Sequence, residues 1–482
     1  MVPNVIGGEY APSASTDILP VTNPSTGEVI ANVALSTRAD LDRAVKATAE
    51  AQKDWARVPL KDRVQVMYRL KTLVEDHAQP IAELISEENG KTVAEGHGEV
   101  SRAIECIEFA CSLPQLAAGP VLEVSRGVEC RMYRYPLGVV GIITPFNFPF
   151  MVPMWMIPLA LSCGNGVILK PSEQTPLSAT RIAQLLDKAG LPKGVFSVVN
   201  GDRQIVEGIC DHPGIEAIGF VGSTRVAKLV YERGARHGKR VKALGGAKNH
   251  LVVVPDADPD MTVANVVASA TGCAGQRCMA ASVLIAVGEV DHIIRRIEER
   301  FREMRAGKDI GAIISPEAKA RITGYIDRAE GNGAKLVVDG RGSVAPDAPA
   351  GGNFIGPTMF DHAAPDHEVS CDEIFGPTLT VIRVKTLEEA LAIENANPYG
   401  NAAAIYTGSG GVAQHFIERA SAGMIGVNIG VPVPREPFPF GGWNQSSFGE
   451  GDLTGHGAFG FYTKTKKVTA KWSDEHRTNW MS

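Results

Sequence analysis

The residues from Gly272 to Ala280, GCAGQRCMA, hold the side chain best suited to nucleophilic chemistry, Cys278. It follows Gly275, Gln276 and Arg277 and precedes small residues, a pattern that predicts a loop running into a helix. At such a junction backbone N–H groups and the Arg277 cation would lower a thiol's pKa and favour the thiolate. On spacing alone a buried structural cysteine is the simpler reading, and Cys273 stays in that class. A second stretch, TPFNFP from Thr144 to Pro149, follows an apolar strand pattern. An amide off the carboxyl end of a strand is well placed to meet a ligand, so Asn147 could supply half of an oxyanion hole. An asparagine that merely closes a turn before Pro149 explains the same residues.

Three further segments suit a nucleotide. GSTRVA (222–227) puts Ser223 where a strand gives way to a helix, whose N-terminus is a ready anion site, although it lacks the G-x-G-x-x-G fingerprint. VILKPSE ends a strand in Lys170 and Glu173, a cation and a carboxylate suited to ribose hydroxyls; a solvated strand end is the plain alternative. EIFGP (373–377) sets Glu373 two residues before Phe375 in a Gly-Pro turn, a possible ribose acceptor beside an aromatic wall, although turn chemistry alone accounts for Gly and Pro. No set of residues reads as a metal site, there being no CxxC pair among the eight cysteines.

These residues need a scaffold, and the pattern supplies one. Helical spacing covers 38–55, 63–77, 81–89 and 92–111. Short apolar runs then alternate with amphipathic segments: GVVGIIT, GVILK, GVFSVVN and IEAIGFVG, and, from His250, HLVVV, ASVLIAVG, LTVIRVK, AAAIYTG and AGMIGVNI. Helices are expected between the later runs at 290–305, 316–331, 386–395 and 411–421. Strand–helix alternation means parallel sheets covered on both faces, hence two α/β domains. Two alternating segments, 121–135 and FYTKTKKVTAKW near the C-terminus, have no helix to cover them and read as one flap whose edges pair with another subunit.

Composition excludes several classes. A chain of 482 residues, 44% hydrophobic and 21% charged, can bury a sizeable core and is not a disordered one. A net charge of −6 with no basic stripe argues against a nucleic-acid partner. The uncharged stretch from Tyr135 to Leu169 is broken by Pro145, Pro149, Pro153 and Pro158, so it reads as strand, loop, buried helix (151–162) and strand, with no membrane span. Scattered cysteines, and an N-terminus MVPNVIGGEYAPS without a targeting pattern, point to the cytoplasm.

In this order and at these separations GIITPFNFP, ILKPSE, GFVGST, GQRCMA and EIFGP resemble the aldehyde dehydrogenase superfamily over essentially the whole chain. The ordered set overturns the structural reading of Cys278. PFNFPFMVPMWMIPLALSCGN, GAKNH, AGQRCMA and the C-terminal run are similar to the CoA-acylating methylmalonate-semialdehyde dehydrogenases, which also act on malonate semialdehyde. The resemblance implies a Rossmann-type NAD-binding domain (1–120 and 137–245), an α/β catalytic domain (246–460) and a small β oligomerisation flap (121–136 and 461–482) in a homo-oligomer, a dimer or tetramer. It implies Cys278 as nucleophile, Asn147 with the Cys278 N–H as oxyanion hole, Phe146, Lys170, Glu173, Ser223, Glu373 and Phe375 around NAD, and Arg102 and Arg277 on the substrate carboxylate. Hydrolytic relatives carry a water-activating glutamate near Leu244 and Gly245; here KALGGAK has no carboxylate. A thioester without a positioned base hydrolyses slowly, whereas coenzyme A attacks it readily. Ala227 stands where many relatives have Gly, and Gly245 where a larger residue is expected. The rival readings are a hydrolytic enzyme using Glu373 as base and a catalytically silent binding protein.

Overall fold

The computed structural model describes residues 1–331 and 334–471; the rest of the expected flap, 472–482, lies outside the described residues. Four apolar runs form wholly buried strands, Val139–Ile143, Gly166–Lys170, Phe196–Val198 and Ala217–Val221. With Arg240–Leu244, which the sequence reading did not single out, they make five parallel neighbours in the order Arg240–Leu244, Ala217–Val221, Val139–Ile143, Gly166–Lys170, Phe196–Val198. Asn4–Ile6 and Glu9–Ala11 extend one edge antiparallel, and Ser447–Phe448 crosses back from the C-terminal part of the chain to pair with the other. The chain lays strands outward from Val139–Ile143 and then returns to its other side, so the order reverses between Val139–Ile143 and Ala217–Val221. The loops leaving these two strands bound the crevice where ligands enter such sheets, and they carry Asn147 and Ser223.

The second sheet runs Lys335–Val338, Thr358–Asp361, Thr378–Val384, Ala281–Val287, Asn249–Val253, Ala402–Tyr406, Met424–Val427, parallel except for the first pair. The helix Pro259–Thr271 before the Cys278 segment escapes sequence periodicity because VANVVASAT is small and apolar nearly all round; Asp258 caps it, accepting the Met261 N–H at 2.8 Å. The uncharged stretch folds as expected, with a wholly buried helix Met151–Ser162. Among the described residues no helix is long and apolar enough to cross a membrane. Helix Val93–Cys111 packs against Met151–Ser162 and starts with a capping box between Thr92 and Glu95. Val121–Ser125, Val128–Pro136 and Thr463–Lys471 form a separate antiparallel sheet, the last two paired from Pro136 opposite Thr463 to Val128 opposite Lys471.

Candidate active site

Cys278 lies in a turn, closed by the Ala280 N–H donating to the Arg277 carbonyl at 3.2 Å, directly before strand Ala281–Val287. The expected helix start is therefore corrected: no helix dipole serves the thiol. Two amides that the sequence reading did not single out hold this loop. Asn249 donates to the carbonyls of Cys278 and Ala280 at 2.8 and 3.0 Å. Gln276 accepts the Ile314 N–H at 3.0 Å and donates to the Ala312 carbonyl at 3.1 Å. Gly275 has φ +71°, and a Cβ there would fall 2.1 Å from the Gly376 carbonyl oxygen, so the loop presses backbone to backbone on the EIFGP turn. The thiol is not activated either: burial, followed by the Glu373 charge, pushes Cys278 up to about 12, against the pull of Arg277 and of the Cys278 and Met279 N–H groups. The expected lowering fails because desolvation and the facing Glu373 carboxylate outweigh the local donors.

Asn147 reaches this loop from the first sheet, its side-chain amide donating to the Gln276 carbonyl at 2.9 Å. Its own carbonyl accepts from Lys91 at 2.7 Å, and Lys91 also donates to Glu99 at 2.6 Å. Glu99 in turn accepts the N–H groups of Phe150 and Met151 at 2.8 and 2.9 Å, so a buried ion pair, absent from the sequence reading, fixes both ends of the Asn147 loop. Only a charged residue eight positions from another on a buried helix face could have signalled it.

A cavity of about 370 Å³ brings together Cys278, Asn147, Phe146, Ser223, Glu373 and Phe375. Phe146 and Phe375 meet edge to face at 5.9 Å, and Phe375 holds φ +56°, a left-handed conformation uncommon for an aromatic residue. The Ser223 hydroxyl caps no N–H of helix Thr224–Arg236. Glu373 accepts the Ala247 N–H at 2.9 Å, and burial raises its pKa above the ordinary carboxylate value. A Cβ on Gly246 would fall 2.2 Å from Glu373, and one on Gly245 would fall 2.9 Å from the Thr224 hydroxyl, which accounts for glycine at 245. A free hydroxyl at a helix N-terminus, a buried carboxylate and facing aromatics fit a dinucleotide's pyrophosphate, ribose and ring. Lys170 and Glu173 pair with each other at 2.9 Å outside the cavity lining, Lys170 holding Glu173 below its ordinary pKa despite burial.

The two arginines expected to take a substrate carboxylate do not line this cavity. Arg277 turns back over Gly272, where a Cβ would fall 1.3 Å from its Nη2, and lies 3.6 Å from Glu95. Arg102 pairs with Glu105 and, at 3.0 Å, with Glu436.

The aldehyde dehydrogenase family profile matches residues 10–468. The chain belongs to the aldehyde dehydrogenase family. It is 46% identical over 477 residues to malonate-semialdehyde dehydrogenase 1 of Geobacillus thermodenitrificans, covering 97% of this chain and 98% of that one. Among solved structures, the methylmalonate-semialdehyde dehydrogenase of Oceanimonas doudoroffii superposes with a TM-score of 0.96 at 41% identity, covering 98% and 99% of the two chains. A Sinorhizobium meliloti 1021 protein complexed with NAD and provisionally named methylmalonate-semialdehyde dehydrogenase also gives 0.96, at 40% identity and 98% of both chains. An aldehyde dehydrogenase with this crevice is an oxidoreductase built on a sheet whose order reverses at the ligand site, as the motifs imply.

Proposed function

We propose that the protein oxidises malonate or methylmalonate semialdehyde with NAD and passes the acyl group to coenzyme A, releasing acetyl-CoA or propanoyl-CoA and CO2. The observation that carries the CoA branch is the cavity's acid inventory. Among the described residues lining it Glu373 is the one carboxylate, and it is engaged by the Ala247 N–H, while the end of strand Arg240–Leu244 offers only Leu244, Gly245 and Gly246. In this reading the nicotinamide ribose takes up Glu373, and no second carboxylate among the described lining residues is left to activate water beside Cys278. The relatives' names support the substrate class.

In this reading the Cys278 thiol gives its proton to water in the cavity and its sulfur adds to the aldehyde carbon. The resulting oxyanion takes hydrogen bonds from the Cys278 N–H and from Asn147, whose amide must exchange its bond to Gln276. NAD, when bound, supplies the acceptor for the aldehyde's hydride, leaving a thioester on Cys278. Ser223 holds the pyrophosphate, Lys170 and Glu173 the adenosine ribose, and Glu373 with Phe146 and Phe375 the nicotinamide end. The β-carboxylate of the acyl group leaves as CO2, its bonding electrons passing to the α-carbon, which takes up a proton; the CoA thiolate attacks the thioester, and Cys278 leaves as thiolate. A 2′-phosphate would meet Glu173, which favours NAD over NADP. The eight cysteines are unpaired, which supports a cytoplasmic setting. The exposed Val121, Leu122 and Val124 of the flap support a homo-oligomer, a dimer or tetramer.

The test is NADH formation with malonate, methylmalonate and succinate semialdehydes, each with and without CoA, with product analysis. Acyl-CoA formed only with CoA is the expected result; free acid released at full rate without CoA overturns it.

A further inference from the structure

Lys248 directly follows Ala247, whose N–H Glu373 accepts, and directly precedes the buried strand Asn249–Val253. Its backbone is pinned there, the Lys248 carbonyl accepting from the Asn397 side chain at 2.6 Å. The residue is 2% exposed and lies behind the cavity lining, and among the described residues its Nζ has no hydrogen-bond partner. A solitary ammonium in a dry interior is costly unless opposite charge holds it. The groups that act on it belong to one segment: Glu373 first, then Asp372 and the Cys371 thiol. Burial lowers its pKa to about 8, so it keeps its proton at neutral pH. Glu373 is under the opposite pressure. Burial pushes its carboxyl up, and the Ala247 N–H, then Lys248, then Arg321 oppose this. Arg321 lines the cavity, donates Nη1 to the Ile374 carbonyl at 2.7 Å, and is exposed, so solvent screens its charge. Lys248, sealed from water, acts on Glu373 with little screening.

We propose that Lys248 is a positioning residue for the oxidation: its buried ammonium keeps the Glu373 carboxylate charged, and so able to accept hydroxyl groups of the nicotinamide ribose. The inference rests on the proposed place of Glu373 at that ribose. An ionised carboxylate accepts at both oxygens, and a hydrogen bond to it is about twice as strong as one between neutral groups. Oε1 takes the Ala247 N–H, which leaves Oε2 for the ribose, and a proton on Oε2 would turn that acceptor into a donor. The other titratable groups around Glu373 supply no positive charge. Cys278 and Tyr399 are kept protonated by burial and by Glu373 itself, and Asp372, next in the chain, carries the same sign as Glu373.

The test compares native protein with Lys248→Met, Lys248→Arg and Glu373→Gln. Because Nζ has no partner, its loss in Lys248→Met strands no hydrogen bond. The first readout needs no cofactor: the ionisation midpoint of Glu373 from carbon NMR of protein labelled at its glutamate carboxyls, the signal identified by its loss in Glu373→Gln. The second is the NAD concentration that half-saturates the single-turnover NADH burst without CoA, between about pH 5.5 and about pH 9. Lys248→Met is expected to raise the Glu373 midpoint by about one pH unit or more. NAD binding should then weaken by up to about tenfold relative to native on the acid side, the difference closing as pH rises past the variant's midpoint. Lys248→Arg keeps the charge and should stay within about half a unit of the native midpoint. An unmoved midpoint in Lys248→Met, an equal displacement in Lys248→Arg, or a uniform loss of affinity at every pH overturns the proposal. Should Lys248→Met not fold, Lys248→Gln is read in the same way. The two readouts separate two failures. If the NMR midpoint moves but NAD binding ignores it, and Glu373→Gln binds NAD as native protein does, the ribose placement falls and the cofactor role with it; an unmoved NMR midpoint overturns the charge link itself.

Discussion

Replacing Lys91 with methionine asks what holds the Asn147 loop in place. Lys91 and Glu99 are 1% and 0% exposed, and their charged atoms lie 2.6 Å apart. At that separation the gross attraction is about 6 kcal/mol with an effective dielectric of about 20, offset by the cost of taking both charges out of water. Methionine keeps much of the volume but strands the Glu99 carboxylate on two backbone N–H groups, and it leaves the Asn147 carbonyl without its donor. One-sided loss of a buried pair costs about 3–5 kcal/mol. Adding Glu99→Gln removes the stranded charge while its amide oxygen still accepts those N–H groups, so the double variant should recover at least about 2 kcal/mol. Urea-unfolding midpoints of native, single and double variants measure this, and the NADH burst measures whether Asn147 has moved, with about a hundredfold loss expected in Lys91→Met for a displacement of about 1 Å. If Lys91→Met costs less than about 1 kcal/mol, or if the double variant is no more stable than the single one, the pair is not what fixes the loop.

Asn147→Ala should lower the burst rate by about two to three orders of magnitude while NAD affinity, read by fluorescence titration, stays near native; a loss below about tenfold removes the amide from the oxyanion site. Cys278 is pushed up to about 12, so without ligands its alkylation by iodoacetamide should rise about tenfold per pH unit through the neutral and alkaline range, and a plateau near pH 7 would contradict this environment. The linkage has a definite sign. Above the ordinary thiol value the unfolded chain loses this proton and the folded one keeps it, so the Cys278 contribution to stability is present below that value and falls between 9.0 and about 12. Gly246→Ala drives a methyl group into Glu373, 2.2 Å away, and should weaken NAD binding about tenfold or more; unchanged affinity would exclude Glu373 from the cofactor site.

The alternating strands and helices of the two sheets, the buried helix Met151–Ser162 and the strand character of the flap segments were legible because apolar periodicity and charge-free runs are local properties of the chain. Strand Arg240–Leu244 was less so, since Arg240 and Lys242 interrupt its apolar run. Lys242 aims its amine at the Gly449 carbonyl 3.0 Å away, a partner supplied from more than two hundred residues along the chain.

By itself the sequence determined the family, because the motifs that carry it depend on residue type and order, and it singled out Cys278 and the cofactor motifs as candidates. Tertiary structure alone decided the state of those groups. Whether the Cys278 thiol is raised or lowered depends on burial and on Glu373, ninety-five positions away. Whether Arg102 faces a substrate or a glutamate depends on a segment more than three hundred positions away. Charge and solvation act through space, at separations of a few ångströms that no spacing along the chain encodes.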